Sequence, residues 1–228
     1  MVAATPVEAG AILDALGGVS EEFRVGHVGI YSGSLGGSRV LVSVSGIGKT
    51  NAAVASSLLA SRFGVGHLVS VGIAGAYPGS GLEPGEVALA TSETYADEGC
   101  LSQHGWLDME DMGSPLVEVD GMRFYSSFPT VVPPWTSLPS GPFLTLSTVT
   151  GTWEVSERLV RRFPGALCES MEGAAVAHVA ALFGIPCTEV RGVSNMVGPR
   201  HREAWLVDEA AYNAQRVALE LLDRYFDE

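Results

Sequence analysis

Apolar and polar positions fall into blocks along the chain. Nearly continuous apolar, β-branched runs recur at 39–46 (RVLVSVSG), 67–75 (HLVSVGIAG), 86–93 (EVALATSE), 143–151 (FLTLSTVTG) and 187–195 (CTEVRGVSN). Runs that stay apolar on both alternations belong to strands covered on two faces. Helical period appears between and after them, over Lys49 to Phe63, Trp153 to Phe163 and Met171 to Gly184, with Asp208 placed to cap a last helix running to about Tyr225. Strands alternating with helices predict an α/β fold: a three-layer α/β/α single domain over residues 1–228 with a mostly parallel or mixed central sheet. Residues 113–142 break the pattern, being rich in Pro, Ser and Gly without a clean period. That stretch predicts a long surface excursion, near the site or at a subunit contact, and no second domain.

Composition narrows the function classes. The chain has 228 residues, 46% of them hydrophobic and 17% charged, enough to bury a sizeable core. Thirteen Lys and Arg against 26 Asp and Glu give a net charge of −13, which repels nucleic-acid phosphates and anionic membranes. No 18-residue apolar stretch or signal-peptide pattern occurs, so the expectation is a cytoplasmic protein without membrane or nucleic-acid partners. Cys100, Cys168 and Cys187 are odd in number and widely spaced, and the five histidines lack metal-ligand spacing. No metal or other cofactor is expected, and His178, on an apolar helix, reads as a packed residue.

SGIGKTNAA, from Ser45 to Ala53, looks at first like a phosphate-binding loop. The G-x-x-x-x-G-K-[ST] pattern requires a glycine five residues before Gly48, and that position is Ser43. What remains is a glycine-flanked turn able to bring backbone N–H groups close to a polar ligand. In open α/β sheets, ligands gather at the carboxyl ends of strands. Attention therefore falls on ATPVEA with Glu8, SGIGKT, GIAGAYPG, SMEGAA with Glu172, and RGVSNMVGPR with Asn195.

Taken in order, ATPVEA, SGIGKTNAA, VGIAGAY followed by EPGEVALA, and RFPGALCESMEGAAVAHVAALFGIPCTEVRGVSN resemble the nucleoside phosphorylase and nucleosidase superfamily. The nearest groups are the 5′-methylthioadenosine/S-adenosylhomocysteine nucleosidases and the futalosine hydrolases. The resemblance covers most of the chain and is weakest over 113–142. It implies a mixed sheet flanked by helices, a homo-oligomer (dimer or tetramer), a small-molecule nucleoside substrate and cleavage of a purine–ribose bond. That reaction passes through an oxocarbenium-like sugar, which calls for carboxylates near the ribose, an activated water and a partner for the departing base.

Carried over residue by residue, the resemblance puts Glu8 on the water-activating glutamate and Glu172 on the ribose hydroxyls, with Met171 packed on the sugar. Trp153, just after TVTG, falls near an aromatic position against the base. Asn195 departs from the methylthioadenosine enzymes, which carry aspartate there to serve adenine. An asparagine NH₂ suits the two acceptors of a 6-oxopurine, N7 and O6, where a carboxylate would cost about 1–3 kcal/mol. Asn195 therefore points to hypoxanthine or guanine as leaving group. Glu8, standing where a phosphate loop is expected, favours water over phosphate as acceptor. Lys49 receives no catalytic role, Thr50 or nearby backbone can help hold the water, and Asp97 and Glu98 stay unassigned.

A 6-oxopurine nucleoside hydrolase points to futalosine, an inosine-like compound with a carboxyphenyl ketone at its 5′ end. The tail MVGPRHREAW carries Arg200 and Arg202, either able to pair with the benzoate, and an aromatic group to stack on its ring. Competing readings are a purine nucleoside phosphorylase, a broader inosine/methylthioadenosine nucleosidase, and a catalytically silent purine-nucleoside-binding module.

Overall fold

A capping box starts the first helix of the structure, a computed structural model that describes residues 1–227. Thr5 accepts from the Glu8 N–H, the Glu8 carboxylate accepts from the Thr5 N–H, and Pro6 occupies the first turn. This helix, α1 (Pro6–Ala15), follows a two-residue strand β1 (Val2–Ala3). Next come β2 (Gly17–Val25), β3 (Val28–Leu35), β4 (Ser38–Val44), α2 (Lys49–Phe63), β5 (Leu68–Ala76) and β6 (Val87–Tyr95). Short strands β7 (Cys100–Ser102), β8 (Gly105–Leu107), β9 (Val117–Val119), β10 (Met122–Phe124) and β11 (Ser127–Pro129) lead to β12 (Ser140–Thr145). The chain continues through α3 (Trp153–Arg162), β13 (Cys168–Ser170), α4 (Gly173–Phe183), β14 (Cys187–Met196) and α5 (Val207–Asp227).

Among the described residues, ten strands form one mixed sheet in the order β11-β6-β12-β13-β5-β1-β4-β3-β2, with β14 pairing both β5 and β6. That double pairing closes β5, β14, β6, β12 and β13 into a ring. Its β5–β14, β6–β12 and β12–β13 ladders are parallel, and its β13–β5 and β14–β6 ladders antiparallel. Strand alternation feeds two helical layers. On one face Val2, Ile30 and Leu68 pack with Ala52, Ala55 and Leu59 of α2 and the alanine-rich face of α4. On the other, Ala3, Val42, Val69, Val71 and Val190 meet Ile12 of α1 and Ala214, Val217 and Leu221 of α5. The three-layer α/β/α expectation with a mixed sheet holds.

Element ends follow local chemistry. Gly64 and Gly184 stop α2 and α4 in the left-handed conformation, at φ 62° and 64°. The excursion over 113–142 does more than cross the surface. Its β11 extends the sheet antiparallel to β6, and Phe128 is fully buried, stacked 4.8 Å from the His178 ring. His178 is thus a packed residue whose Nδ1 lies 3.3 Å from the Tyr95 hydroxyl. The three cysteines are free; burial pushes the Cys168 and Cys187 thiols up, while Cys100 is exposed.

Candidate active site

The carboxyl ends of β1, β5, β13 and β14 surround a cavity of about 450 Å³. Its walls include Thr5, Glu8, Met171, Glu172 and Asn195, and its mouth carries Arg200, Arg202 and Trp205. Of the candidate site residues, Glu8, Met171, Glu172, Asn195, Arg200 and Arg202 therefore line one space, whereas Trp153 and the exposed Thr50 do not.

The capping box that begins α1 also aims Glu8. Glu8 Oε2 accepts from the Thr5 hydroxyl at 2.7 Å and from its N–H at 3.0 Å, while Oε1 accepts from the Ile73 N–H at 2.9 Å. Only 5% exposed, the carboxylate is held by α1 on one side and β5 on the other. Gly72 makes this possible, because a Cβ there would collide with both Glu8 Oε1 and Arg191 Nη1.

Glu172 precedes α4 and is 7% exposed. The SGIGKT turn supplies its partner: Gly46 and Gly48 adopt φ of 88° and 99°, and the Gly48 N–H donates to Glu172 Oε1 at 2.9 Å. Burial raises the Glu172 pKa above the usual carboxylate value, and nearby Glu8 adds to this, against the opposing pull of Arg191 and the Gly48 N–H. Lys49 is spent elsewhere. Its ammonium pairs with Asp97 and Glu98 and lies 4.8 Å from the Tyr95 ring centre, while Asp97 also accepts from the Ser147 N–H.

Sequence reasoning missed Arg191, which organises the closed end. Its guanidinium is 2% exposed, with Nε 2.6 Å from Glu189 Oε1 and Nη1 3.6 Å from Glu172 Oε2. It also donates to Ser70 Oγ at 3.1 Å and to the Ile73 carbonyl at 3.3 Å. Burial works against its charge, but Glu189, Glu172 and Glu8 outweigh that and hold its pKa above the ordinary arginine value. Behind it, Glu93 accepts from the Thr145 hydroxyl at 2.7 Å. Glu93 Oε1 and Glu189 Oε2 are buried without a hydrogen-bond partner among the described residues, and both crowd the space that a Cβ on Gly173 would fill. Burial first, and Glu189 second, push the Glu93 pKa well up. Glu93 therefore favours its protonated form, while Glu189 pairs with Arg191. The sequence signal was the pair itself: Glu189 and Arg191, two apart on one strand, share a face of an otherwise apolar run.

A register shift between Val193 and Asn195 bulges β14 against β5. Bulges re-aim side chains beside active sites, and here Ser194 and Asn195 line the cavity. The Ser194 hydroxyl donates to Asn195 Oδ1 at 2.8 Å, and Asn195 Nδ2 donates to the Met196 carbonyl at 3.0 Å, leaving one amide hydrogen to offer. At the mouth, the Arg200 and Arg202 guanidinium carbons lie 4.8 and 5.9 Å from the Trp205 ring centre.

Trp153 requires a correction. It opens α3 with Thr152 as cap, is 53% exposed, and lies against Gly198 rather than in the cavity wall. Gly198 lacks the Cβ that would strike its ring. The aromatic residue that lines the cavity mouth is Trp205.

This arrangement presents an acidic, donor-fixed interior to a polar substrate and a basic, aromatic mouth to whatever protrudes. The model of the phosphorylase superfamily matches residues 1–227. The chain belongs to the phosphorylase superfamily. Within this superfamily it is 38% identical to the futalosine hydrolase of Streptomyces coelicolor over 63% of this chain and 59% of that one. It is 35% identical to the futalosine hydrolase of Thermus thermophilus, over 78% and 79% respectively. The alignment thus spans about six tenths of the Streptomyces protein's length. The resemblance to futalosine hydrolases drawn from the sequence motifs is borne out. In fold, the chain matches the 5′-methylthioadenosine/S-adenosylhomocysteine nucleosidase of Neisseria meningitidis, solved with methylthio-immucillin-A. The TM-score is 0.83 at 21% identity, covering 98% of this chain and 97% of that one.

Proposed function

We propose that this protein hydrolyses the N-glycosidic bond of futalosine, releasing hypoxanthine and dehypoxanthine futalosine in the futalosine route of menaquinone biosynthesis. The observation that carries the proposal is the meeting of Glu8, Glu172 and Asn195 in the lining of one cavity, with the Arg191 guanidinium buried beside Glu172. Glu8, fixed by Thr5 and Ile73, takes a proton from water as its oxygen bonds to C1′ of the ribose. Glu172 accepts from the ribose hydroxyls, Met171 packs against the sugar, and Asn195 directs its remaining amide hydrogen at the N7/O6 edge as the bond electrons move into the base. A phosphate acceptor would enter beside buried carboxylates, which favours water. Arg200 or Arg202 meets the benzoate and Trp205 stacks on its ring.

We read the whole chain as one such domain, acting as a cytoplasmic homo-oligomer, a dimer or a tetramer. Exposed Met122 and Val131 in the 113–142 excursion are candidates for the contact. No helix among the described residues is long and apolar enough to cross a membrane.

The test is a chromatographic assay of futalosine, inosine and methylthioadenosine, each with and without phosphate. Hypoxanthine release from futalosine without phosphate is expected. Strict dependence on phosphate would make the protein a phosphorylase, and adenine release from methylthioadenosine at a comparable rate would make it a broader nucleosidase.

A further inference from the structure

Glu169, on β13, is 5% exposed and lines the same cavity, yet none of the roles above uses it. Three donors fix its carboxylate, all at 2.7 Å: the Tyr77 and Thr150 hydroxyls on Oε2 and the Thr150 N–H on Oε1. Burial, and then the Glu169 charge, push the Tyr77 phenol far above its ordinary pKa, so it stays a donor. A carboxylate has about four acceptor positions, and three are taken. One remains.

The topology places that remaining acceptor relative to Asn195. Gly75 of β5 pairs with Glu169 on one side and with Asn195 on the other. Adjacent strands lie about 4.8 Å apart, so the two residues stand about 10 Å from one another across a glycine. A Cβ at Gly75 would meet Val197 Cγ2 at 3.0 Å and Asn195 Nδ2 at 3.2 Å, and Gly75, Glu169 and Asn195 all line the cavity, the carboxylate on one side of the glycine and the carboxamide on the other. We propose that Glu169 is a specificity-determining residue that accepts the N1–H of a 6-oxopurine whose N7 and O6 face Asn195. This rests on the reading of the leaving group given above.

The chemistry is a matter of sign. Proceeding round the purine from O6, the next ring atom is N1, which bears a hydrogen in hypoxanthine and a lone pair in adenine. The Thr150 N–H, a backbone donor that could have served an adenine N1, is already engaged by Glu169. The wall therefore presents an acceptor where a backbone donor would otherwise stand, and an adenine ring would set lone pair against carboxylate. Together Asn195 and Glu169 give donor then acceptor, the complement of a 6-oxopurine edge.

The experiment pairs the wild type and Glu169→Met with futalosine and its 1-deaza analogue, in which C–H replaces N1–H. Wild-type kcat/KM is expected to fall about a hundredfold on the analogue. Glu169→Met, which has no acceptor to offer N1–H, is expected to be slow on both, at a ratio near one, because its loss and the loss of N1–H remove the same hydrogen bond. If the wild type takes both substrates equally, or if the variant keeps the wild-type ratio, Glu169 only ties β13 to Tyr77 and Thr150 and the proposal is overturned. Should the variant not fold, the wild-type ratio decides alone. Should the wild type release no base from futalosine, the assigned reaction fails. Calorimetric binding of free hypoxanthine against 1-deazahypoxanthine then tests Glu169 separately, with equal affinities overturning it.

Discussion

Arginines behind the cavity and at its mouth live under opposite rules. Arg191 is sealed between Glu189 and Glu172 and tied to Ser70 and Ile73, whereas Arg200 and Arg202 are exposed beside Trp205 at the start of a short 3₁₀ turn. A buried guanidinium without its carboxylates would cost several kcal/mol, so at the closed end each charge dictates the position of the next. At the mouth, solvent screens the charges and the side chains keep their rotamer freedom, so each contact there is worth little until a ligand engages it. On the proposed function, the difference separates tasks: the interior fixes the reacting geometry, and the rim sorts substrates by what hangs from their 5′ end.

Glu8→Gln should strike the interior hardest. With the same shape but no base, it is expected to lower kcat for hypoxanthine release by about 10²–10⁴ with KM within about threefold of wild type. A rise in KM with kcat untouched would give Glu8 a binding role only. At the mouth, Arg200→Ala or Arg202→Ala should raise the futalosine KM about tenfold and leave inosine kinetics unchanged. Equal effects on both nucleosides, or none on either, would remove the rim from substrate selection.

The smallest expected effect concerns the raised Glu93 carboxyl behind Arg191. Glu93 has a raised pKa in the folded protein, from a reference of 4.5. As pH rises above about 4.5 the unfolded chain releases this proton while the folded chain keeps it, so Glu93 subtracts increasingly from stability until its own folded pKa is reached. Glu93→Gln can still donate towards Glu189 and accept from Thr145 without that penalty. Its melting temperature relative to wild type should therefore climb as pH rises above 4.5. A difference that stays flat would show that folding does not raise the Glu93 pKa.

What the sequence made legible follows the same division. Lys49 to Phe63 emerged as read, because a glycine turn and a left-handed Gly64 bound it on both sides. The five apolar runs became β4, β5, β6, β12 and β14, since burial on two faces leaves a strong pattern. The β2–β3 hairpin went unread: β2 is exposed along nearly its whole length, so no alternation marks it. Phe128 hid in a Pro-rich stretch as a lone apolar residue. In the site, Glu8, Glu172 and Asn195 were visible from motif order, but Arg191 and Glu189 sat inside a run read only as strand. Trp153 was misplaced because a helix start gives position along the chain and not the direction of the ring. Glu169 needed three strands in register before its place opposite Asn195 could be seen.

The ring formed when β14 pairs with both β5 and β6 bears on more than the cavity. Closure leaves its members without open hydrogen-bonding edges, so the sheet ends only at β2 and β11. Both ends discourage growth by strand addition: β2 carries Glu21, Glu22 and Arg24, and β11 is three residues long and ends in Pro129. The catalytic strands are thereby shielded from edge-to-edge aggregation while folded. Any such association would have to start from a chain that has already opened the ring.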